Sequence, residues 1–176
     1  GSGLSVSVHP EDWTSIARLG GYPTWNVQRK SNRFLDFHKL TPAHRDALQA
    51  WGIAKGYIVL KPQWELVYYD SELDDECRCL FDTEEEARRE IPDWLEESNH
   101  PKITEVVHPC PTPAMMERLQ FDTKFCDAMD MAATFWVEDE TEMDGVWWND
   151  VYAPETLSAP RGVIVRRALP QWTLTR

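Results

Sequence analysis

The chain has 176 residues and is 42% hydrophobic, which is enough for one domain with a core of ordinary size. Its longest apolar runs span only a few residues, which excludes a membrane-spanning helix. Its formal net charge of −12 at pH 7 excludes a basic nucleic-acid footprint. We therefore expect a soluble, cytoplasmic protein that binds neither membranes nor nucleic acid nonspecifically.

The first third of the chain predicts strands and one well-marked helix. Leu4 to Val8 alternates apolar and polar residues like a strand, and Asp12 to Leu19 indicates a short helix ended by a glycine pair. Thr24 to Gln28 and Arg33 to Phe37 are further extended pieces. A Thr-Pro pair, an N-cap followed by a first-turn proline, opens a helix over Thr41 to Gly56.

The middle of the chain predicts an antiparallel meander followed by a helix. Its strands are Tyr57 to Leu60, Glu65 to Tyr69 and Arg78 to Phe81, joined by polar sequence rich in turn residues. A Thr-x-x-Glu capping box then opens a helix over Thr83 to about Glu97.

The last third predicts a connection, a helix and two strands around a loop. Asn99 to Pro113 is interpreted as a connecting segment because three prolines lie near its end. Apolar residues at helical spacing predict a helix over Thr112 to Met129. Gly145 to Trp148 and Gly162 to Val165 indicate strands, and Asn149 to Pro160 loops out between them.

Together these elements predict an α+β fold, a central, largely antiparallel (split) β-sheet with about three to four flanking helices. Residues 1–3, Gly-Ser-Gly without a methionine, are typical of a cloning scar. We expect the remaining residues, 4–176, to form a single domain. Two similar stretches, Pro23 to Arg29 and Pro170 to Arg176, are expected to lie side by side as strands.

One acidic segment, residues 65–97, carries nearly all of the net charge. It holds 14 acidic residues against three arginines, a balance of −11. One interpretation is a solvated hairpin and helix start, where carboxylates complement the helix dipole. The other is an acidic surface that binds a basic bacterial protein, including one whose usual ligand is nucleic acid. The candidate partner-binding residues are Asp70, Glu72, Asp74, Asp75 and Glu76.

The four cysteines lack the paired Cys-x-x-Cys spacing of zinc knuckles. Cys77, Cys79, His108 and Cys110 form the one combination that would give a four-ligand zinc site. The simpler interpretation is reduced, partly buried thiols, with Cys77 and Cys79 on one face of a strand. We expect no metal.

Residues 144–165 resemble a known family. They run Asp144-Gly-Val-Trp-Trp148, then Asn149-Asp150, then Ser158-Ala-Pro-Arg161 before a hydrophobic strand. This order is similar to the last catalytic block of ADP-ribosyltransferase-like domains found in phage and mobile-element proteins. Ala153 stands where that block is expected to carry its glutamate, so the chain either catalyses with neighbouring acids or keeps the fold only for binding.

The resemblance implies NAD+ as substrate and transfer of ADP-ribose to a macromolecular or small-molecule acceptor. Asp150 or Glu155 would supply the carboxylate that steadies an oxocarbenium-like ribose, with Ser158 in the same block. The residues implied to hold NAD+ are Arg29, His38, Trp147, Trp148 and Arg161.

Each of these residues also has a purely structural interpretation. Arg29 and Arg33 would pair with the acidic segment, His9 and His38 would be strand or turn residues, and Ser158 would be a turn residue. Because Trp147 and Trp148 are adjacent in a strand, their rings would lie on opposite faces, and at least one would be core. Three functional hypotheses remain: an NAD+-dependent transferase, an acidic inhibitor of a bacterial defence protein such as a CRISPR complex or restriction enzyme, and a structural or packaging component.

Overall fold

The computed structural model describes residues 3–12, 24–29, 33–70, 74–91, 101–119, 127–153 and 158–176. Among these residues there are nine strands: β1 (Gly3–Ser7), β2 (Asn26–Gln28), β3 (Phe34–Asp36), β4 (Ile58–Asp70), β5 (Asp75–Phe81), β6 (Lys102–Pro111), β7 (Gly145–Trp148), β8 (Arg161–Val165) and β9 (Thr173–Thr175). The α-helices are α1 (Pro42–Ala54), α2 (Glu84–Arg89), α3 (Pro113–Leu119) and α4 (Ala128–Glu140). The predicted α+β class is confirmed. None of the described helices is long and apolar enough to cross a membrane.

The chain divides into two compact units. Residues 1–58 and 111–176 form one, here the core unit, and residues 59–110 form the other, here the inserted unit.

The core unit is built on a four-stranded sheet in the order β1-β8-β7-β3. Strand β8 runs antiparallel to both β1 and β7, while β3 is parallel to β7. Strands β1, β7 and β3 therefore point the same way, and all three end where β8 begins. Arg161 lies opposite Ser7 on one side and Trp148 on the other. We call this side of the sheet its carboxyl end.

Both faces of this sheet are covered. Trp148 packs with the first turn of α4 on one face, and on the other Phe34 meets Trp172 edge to face at 5.9 Å. A 3-10 helix, Arg166–Gln171, connects β8 to Trp172. The core includes fully buried Phe135, Val146, Ile164 and Val165, which together join α4, β7 and β8.

Helix α1 confirms the prediction from its Thr-Pro start. The Thr41 hydroxyl accepts a hydrogen bond from the His44 N–H at 3.3 Å, and Pro42 occupies the first turn. The chain leaves the helix through Gly56, which has a φ of 73° that L-residues rarely adopt. The predicted helix at Asp12 to Leu19 lies almost wholly outside the described residues.

The helix predicted over Thr112 to Met129 is wrong as a single element. Helix α3 ends at Leu119, and α4 begins only at Ala128, with Asp127 as its N-cap. The Asp127 carboxylate accepts from the Met129 N–H at 2.6 Å and so fixes a new start. Helix α4, which the sequence patterns did not indicate, supplies seven buried residues.

The expectation from the repeated Pro-x-Trp sequence is confirmed. Strands β2 and β9 pair antiparallel, with Asn26 opposite Thr175 and Gln28 opposite Thr173. At the end of this ladder the Arg176 guanidinium lies 5.0 Å from the centre of the Trp25 ring.

The inserted unit holds a three-stranded sheet in the order β5-β4-β6, and its sequence predictions need three corrections. The two strands predicted before and after Pro62 are one strand, β4, which pairs with β5 only from Trp64 onward and so needs no N–H at Pro62 for that ladder. The capping box of Thr83 and Glu86 is present, but α2 ends at Arg89 rather than near Glu97. The connecting segment predicted at Asn99 to Pro113 contains β6, because its β-branched run outweighs its prolines.

Candidate functional site

Four of the predicted site residues meet at the carboxyl end of the core sheet. His38 lies in a 3-10 helix, Phe37–Lys39, that directly follows β3. Trp148 ends β7, Asp150 follows it by two residues, and Arg161 begins β8. Because β3 and β7 are parallel neighbours, residues just beyond their ends are brought together.

Asp150 is held on both sides of its carboxylate. His38 Nε2 lies 3.0 Å from Asp150 Oδ1, and Arg161 Nε lies 3.2 Å from Asp150 Oδ2. One oxygen is therefore within hydrogen-bond distance of His38, and the other forms an ion pair with Arg161. The Asp150 side chain is 26% exposed, so it is accessible to a small molecule.

A second carboxylate, Asp130 in the first turn of α4, shares the same guanidinium. Arg161 Nη2 lies 3.6 Å from Asp130 Oδ2, and Arg161 Cζ lies 5.5 Å from the centre of the Trp148 ring. Trp148 is only 8% exposed and supports the guanidinium from within the core. We refer to these five residues, His38, Asp130, Trp148, Asp150 and Arg161, as the edge cluster.

The surroundings of Asp130 disfavour its charged form. Burial is the main cause that raises its pKa, and repulsion from Asp127 and Asp150 adds to the effect. The Trp148 indole and Arg161 act in the opposite direction without cancelling it. Sequence reasoning missed Asp130. The available signal was an aspartate within the apolar stretch from Ala128 to Val137.

Arg29 belongs to a different arrangement. One of its nitrogens, Nη1, donates to the Asp144 carboxylate, and the other, Nη2, donates to the Gln171 side chain. Asp144 is 2% exposed and also accepts from the Arg33 backbone N–H at 3.0 Å. Asp144 and Arg29 thus tie the start of β7 to the segments flanking β2 and β3.

The interpretation that Arg29 and Arg33 pair with the acidic segment is wrong. Arg29 pairs with Asp144, and the Arg33 side chain donates to the Glu142 carbonyl oxygen. Both partners lie outside residues 65–97. The physical reason is proximity within the core unit, where Asp144 N–H also donates to the Arg33 carbonyl at 2.7 Å.

Trp147 lies on the sheet face opposite Trp148, as expected from their adjacency in β7. Its ring packs over Gly162, the residue opposite it in β8, and meets the edge of Phe34 at 6.2 Å. Trp147 is therefore a packing residue outside the edge cluster.

The remaining predicted catalytic residues lie in the loop between β7 and β8. Glu155 falls outside the described residues. The Ser158 hydroxyl donates to the Val151 carbonyl at 2.7 Å, and Ser158 forms a two-bond bridge with Ala153 at 3.0 and 3.1 Å. Ser158 thus closes the loop, which is the turn interpretation of this residue.

The predicted partner-binding acids lie at the β4–β5 connection of the inserted unit. Asp70 is half-buried, while Asp74 and Glu76 are exposed. Asp74 has a φ of 52° and accepts from the Tyr69 hydroxyl, and Glu76 accepts from Arg78 Nε at 3.0 Å. Glu72 and the side chain of Asp75 lie outside the described part of the chain.

Within the described ranges, no three His, Cys, Asp or Glu side chains converge as a metal site. Cys77 and Cys79 do share one face of β5, as expected, since they lie opposite Tyr68 and Leu66. Cys110 Sγ lies 3.6 Å from the His108 carbonyl oxygen. Burial raises the pKa of the Cys79 and Cys110 thiols, which favours the reduced, unreactive interpretation.

No family model matches the chain, and neither curated proteins nor solved structures match it. The functional proposal therefore depends on the chemistry of the edge cluster.

Proposed function

We propose that the edge cluster cleaves the N-glycosidic bond of NAD+ and passes ADP-ribose to a macromolecular or small-molecule acceptor. The observation that carries the proposal is the convergence of His38, Asp150 and Arg161 at one end of the sheet, above the buried ring of Trp148. All four were candidates on the basis of sequence alone.

The reaction needs a fixed negative charge beside a ribose that becomes positively charged. As the bond from C1′ to the pyridinium nitrogen breaks, its electron pair leaves with nicotinamide, and C1′ takes on oxocarbenium character. A carboxylate placed like Asp150, with His38 at one oxygen and Arg161 near the other, can stabilise that charge. The acceptor then bonds to C1′ and its proton passes to Asp150, from which His38 relays it to solvent.

The charge of the cluster suits the ribosyl-nicotinamide half of NAD+. Asp150 lies beside Arg161 with a partly exposed side chain and supplies a carboxylate for the cationic pyridinium. The structure does not bring Arg29, the residue expected to hold the pyrophosphate half, into the edge cluster: its terminal nitrogens bind Asp144 and Gln171. Arg161 is the cluster's own cation, and Trp148 supports it rather than offering an open ring face.

The test is labelling of a bacterial lysate with biotin-tagged NAD+, together with consumption of NAD+ by the purified protein. We expect label and consumption from the unaltered chain, with a loss of about 10²–10⁴-fold in Asp150→Asn and His38→Ala. Protease and nuclease digestion of the labelled lysate then identify the acceptor class.

Glu140→Gln is the matched control. Glu140 lies at the far end of α4 from Asp130 and pairs with Lys55 at 3.0 Å, so the variant removes one carboxylate from an exposed pair. It is expected to keep full activity. If the unaltered protein neither labels a target nor consumes NAD+, the proposal fails.

The acidic inhibitor remains the second candidate, because the charge is concentrated in one compact unit. Residues 59–110 hold 15 acidic and five basic residues, a balance of −10 out of the total of −12. Exposed carboxylates such as Asp74 and Glu76 would occupy phosphate sites on a nucleic-acid-binding bacterial protein.

This candidate makes its own mutational prediction. Combined Asp74→Lys and Glu76→Lys substitution should abolish capture of a basic partner from lysate, and capture by the unaltered chain should weaken steeply with salt. Under the transferase proposal the same double variant keeps its activity. Salt-insensitive capture, or capture that survives the double variant, would reject the inhibitor.

A further inference from the structure

The two carboxylates on Arg161 have unlike surroundings. Asp150 has a separate partner on each oxygen, His38 and Arg161. Asp130 is 3.6 Å from the guanidinium, sits against the buried Trp148 indole, and has a second acid, Asp127, at the start of its own helix. Two acids that share a site but differ in this way are suited to opposite roles, one as a charged stabiliser and one as a donor of a proton.

Nicotinamide leaves NAD+ as a neutral base and needs no proton. A purine leaves a riboside as an anion unless a ring nitrogen is protonated while the bond breaks. A proton donor in the cluster would therefore serve no purpose for NAD+, but it would assist purine ribosides directly.

We propose that Asp130 is a proton donor to the leaving base, and that purine ribosides are a substrate class of the edge cluster. This inference rests on the proposed glycosidic cleavage at the same site. A nucleoside also lacks the pyrophosphate that Arg29 was expected to hold, and Arg29 instead binds Asp144 and Gln171 outside the edge cluster.

The steps balance without any additional reagent. Asp130 gives its proton to the purine ring nitrogen as the C1′–N9 bond breaks and the electron pair moves into the base. Water bonds to C1′ and loses a proton to Asp150, and His38 passes that proton to solvent. Asp130 regains a proton from solvent, and the net reaction is hydrolysis to ribose and a free purine.

The charged and titratable groups around Asp130 come from three elements. Asp127 caps its own helix, Arg161 lies on β8, and Asp150 follows β7 with His38 as its partner. The two acids raise the pKa of Asp130 and Arg161 lowers it, with burial the largest cause of the rise. These groups keep part of the Asp130 population protonated above the usual range for aspartate, which supports the donor role.

The experiment compares three substrates: inosine, NAD+ and 4-nitrophenyl riboside, whose nitrophenolate leaves without a proton. The unaltered chain is expected to hydrolyse all three. In Asp130→Asn the rate on inosine should fall by about 10²–10⁴-fold, and at least about tenfold further than the rate on 4-nitrophenyl riboside. An equal loss on every substrate would mean that Asp130 only positions Arg161, and would overturn the inference.

A second variant tests the titration without removing Asp130. Asp127→Asn keeps a good N-cap residue but removes the neighbouring charge, so it should lower the pKa of Asp130. The alkaline limb of the inosine pH–rate profile should move to lower pH, while that of 4-nitrophenyl riboside stays in place. An unmoved inosine limb contradicts the donor role.

The substrate panel separates this inference from the proposed function. Cleavage of NAD+ without hydrolysis of inosine overturns the inference and leaves the NAD+ proposal standing. Hydrolysis of inosine without cleavage of NAD+ overturns the NAD+ proposal and leaves the inference about purine ribosides standing. If none of the three substrates reacts, both are wrong.

Discussion

Two acidic residues of the core unit, Asp144 and Asp130, are placed in opposite ways. Asp144 is surrounded by donors, with the Arg29 guanidinium and the Arg33 N–H both directed at its carboxylate. Asp130 is instead crowded by other acids and by the apolar core, which raises its pKa. The first arrangement stabilises the fold, whereas the second costs stability and is typical of a functional site.

Asp130→Asn is therefore expected to stabilise the protein at neutral pH. A carboxyl whose folded pKa is raised contributes stability below its unfolded value, near 3.8, and loses it as pH rises through the folded pKa. Removing the charge should raise Tm by about 2–4 °C for each kcal/mol gained. The gain in Tm should vanish at a pH below the pKa of Asp130 in the unfolded chain. Thermal unfolding at both pH values measures it, and a drop in Tm at neutral pH would contradict the assignment.

Arg118, unlike Asp130, is a charged residue whose contacts stabilise the fold. Its guanidinium donates to both Asp139 oxygens at 2.7 and 2.8 Å, donates to the Tyr57 hydroxyl at 2.8 Å, and lies 4.1 Å from the Phe135 ring centre. Arg118→Ala should lower the free energy of unfolding by about 1.5–3 kcal/mol, because charged hydrogen bonds and ring contact are lost together.

The pair of Arg118 and Asp139 also predicts how the stability changes at acidic pH. Arg118 lowers the pKa of Asp139, so this stability is present above the unfolded value of about 3.8 and is lost as pH falls through the lower folded value. Urea unfolding at falling pH should show a smaller acid loss in Arg118→Ala than in the unaltered chain. Equal acid losses in the two proteins would reject this explanation.

Among the elements, those with a local signal were predicted and those defined by burial were not. Helix α1 carries its own cap, and β1, β7 and β8 alternate or end at clear turn residues. Helix α4 is buried on most of its surface, so it has no polar stripe from which a period could be read. Strand β6 was not predicted because its segment contains prolines. A strand tolerates proline at positions whose N–H is not needed for pairing with a neighbouring strand.

Gly162 allows a close approach between β7 and β8. A Cβ on Gly162 would lie 2.5 Å from Cε3 of Trp147 and 2.9 Å from the Val146 carbonyl oxygen. Gly162→Ala should therefore cost about 1–3 kcal/mol, since the ring and a backbone atom must both move. Urea unfolding measures the loss, with Ser5→Ala at an exposed position of β1 as the control. A neutral Gly162→Ala would show that the Trp147 ring relaxes freely.

At the scale of the whole molecule, the sequence identified four members of the edge cluster but not how they meet. The resemblance of residues 144–165 pointed to Trp148, Asp150 and Arg161, and weaker support added His38. Their convergence depends on the parallel pairing of β3 with β7, a contact between distant parts of the chain. The Arg29–Asp144 pair depends on long-range packing, and the only local signal for Asp130 was its position within an apolar stretch.

The uneven charge also acts on the whole molecule. Residues 59–110 hold a balance of −10, and like charges so concentrated repel one another in the folded state. Added salt screens this repulsion, so the urea midpoint should rise between low and moderate ionic strength. Neutralising the exposed Glu85 and Glu90 as glutamines should reduce that rise. A midpoint that is independent of salt would contradict the expectation.

The pairing of β1 with β8 and of β2 with β9 determines when the chain can fold during its synthesis. Gly3 pairs with Val165 and Asn26 with Thr175, so strands β1 and β2 have no partner until residues 161–175 have been synthesised. Strands β4 and β5, neighbours along the chain, face no such delay. The inserted unit is therefore expected to form during synthesis before the edge cluster, whose Arg161 enters the chain later.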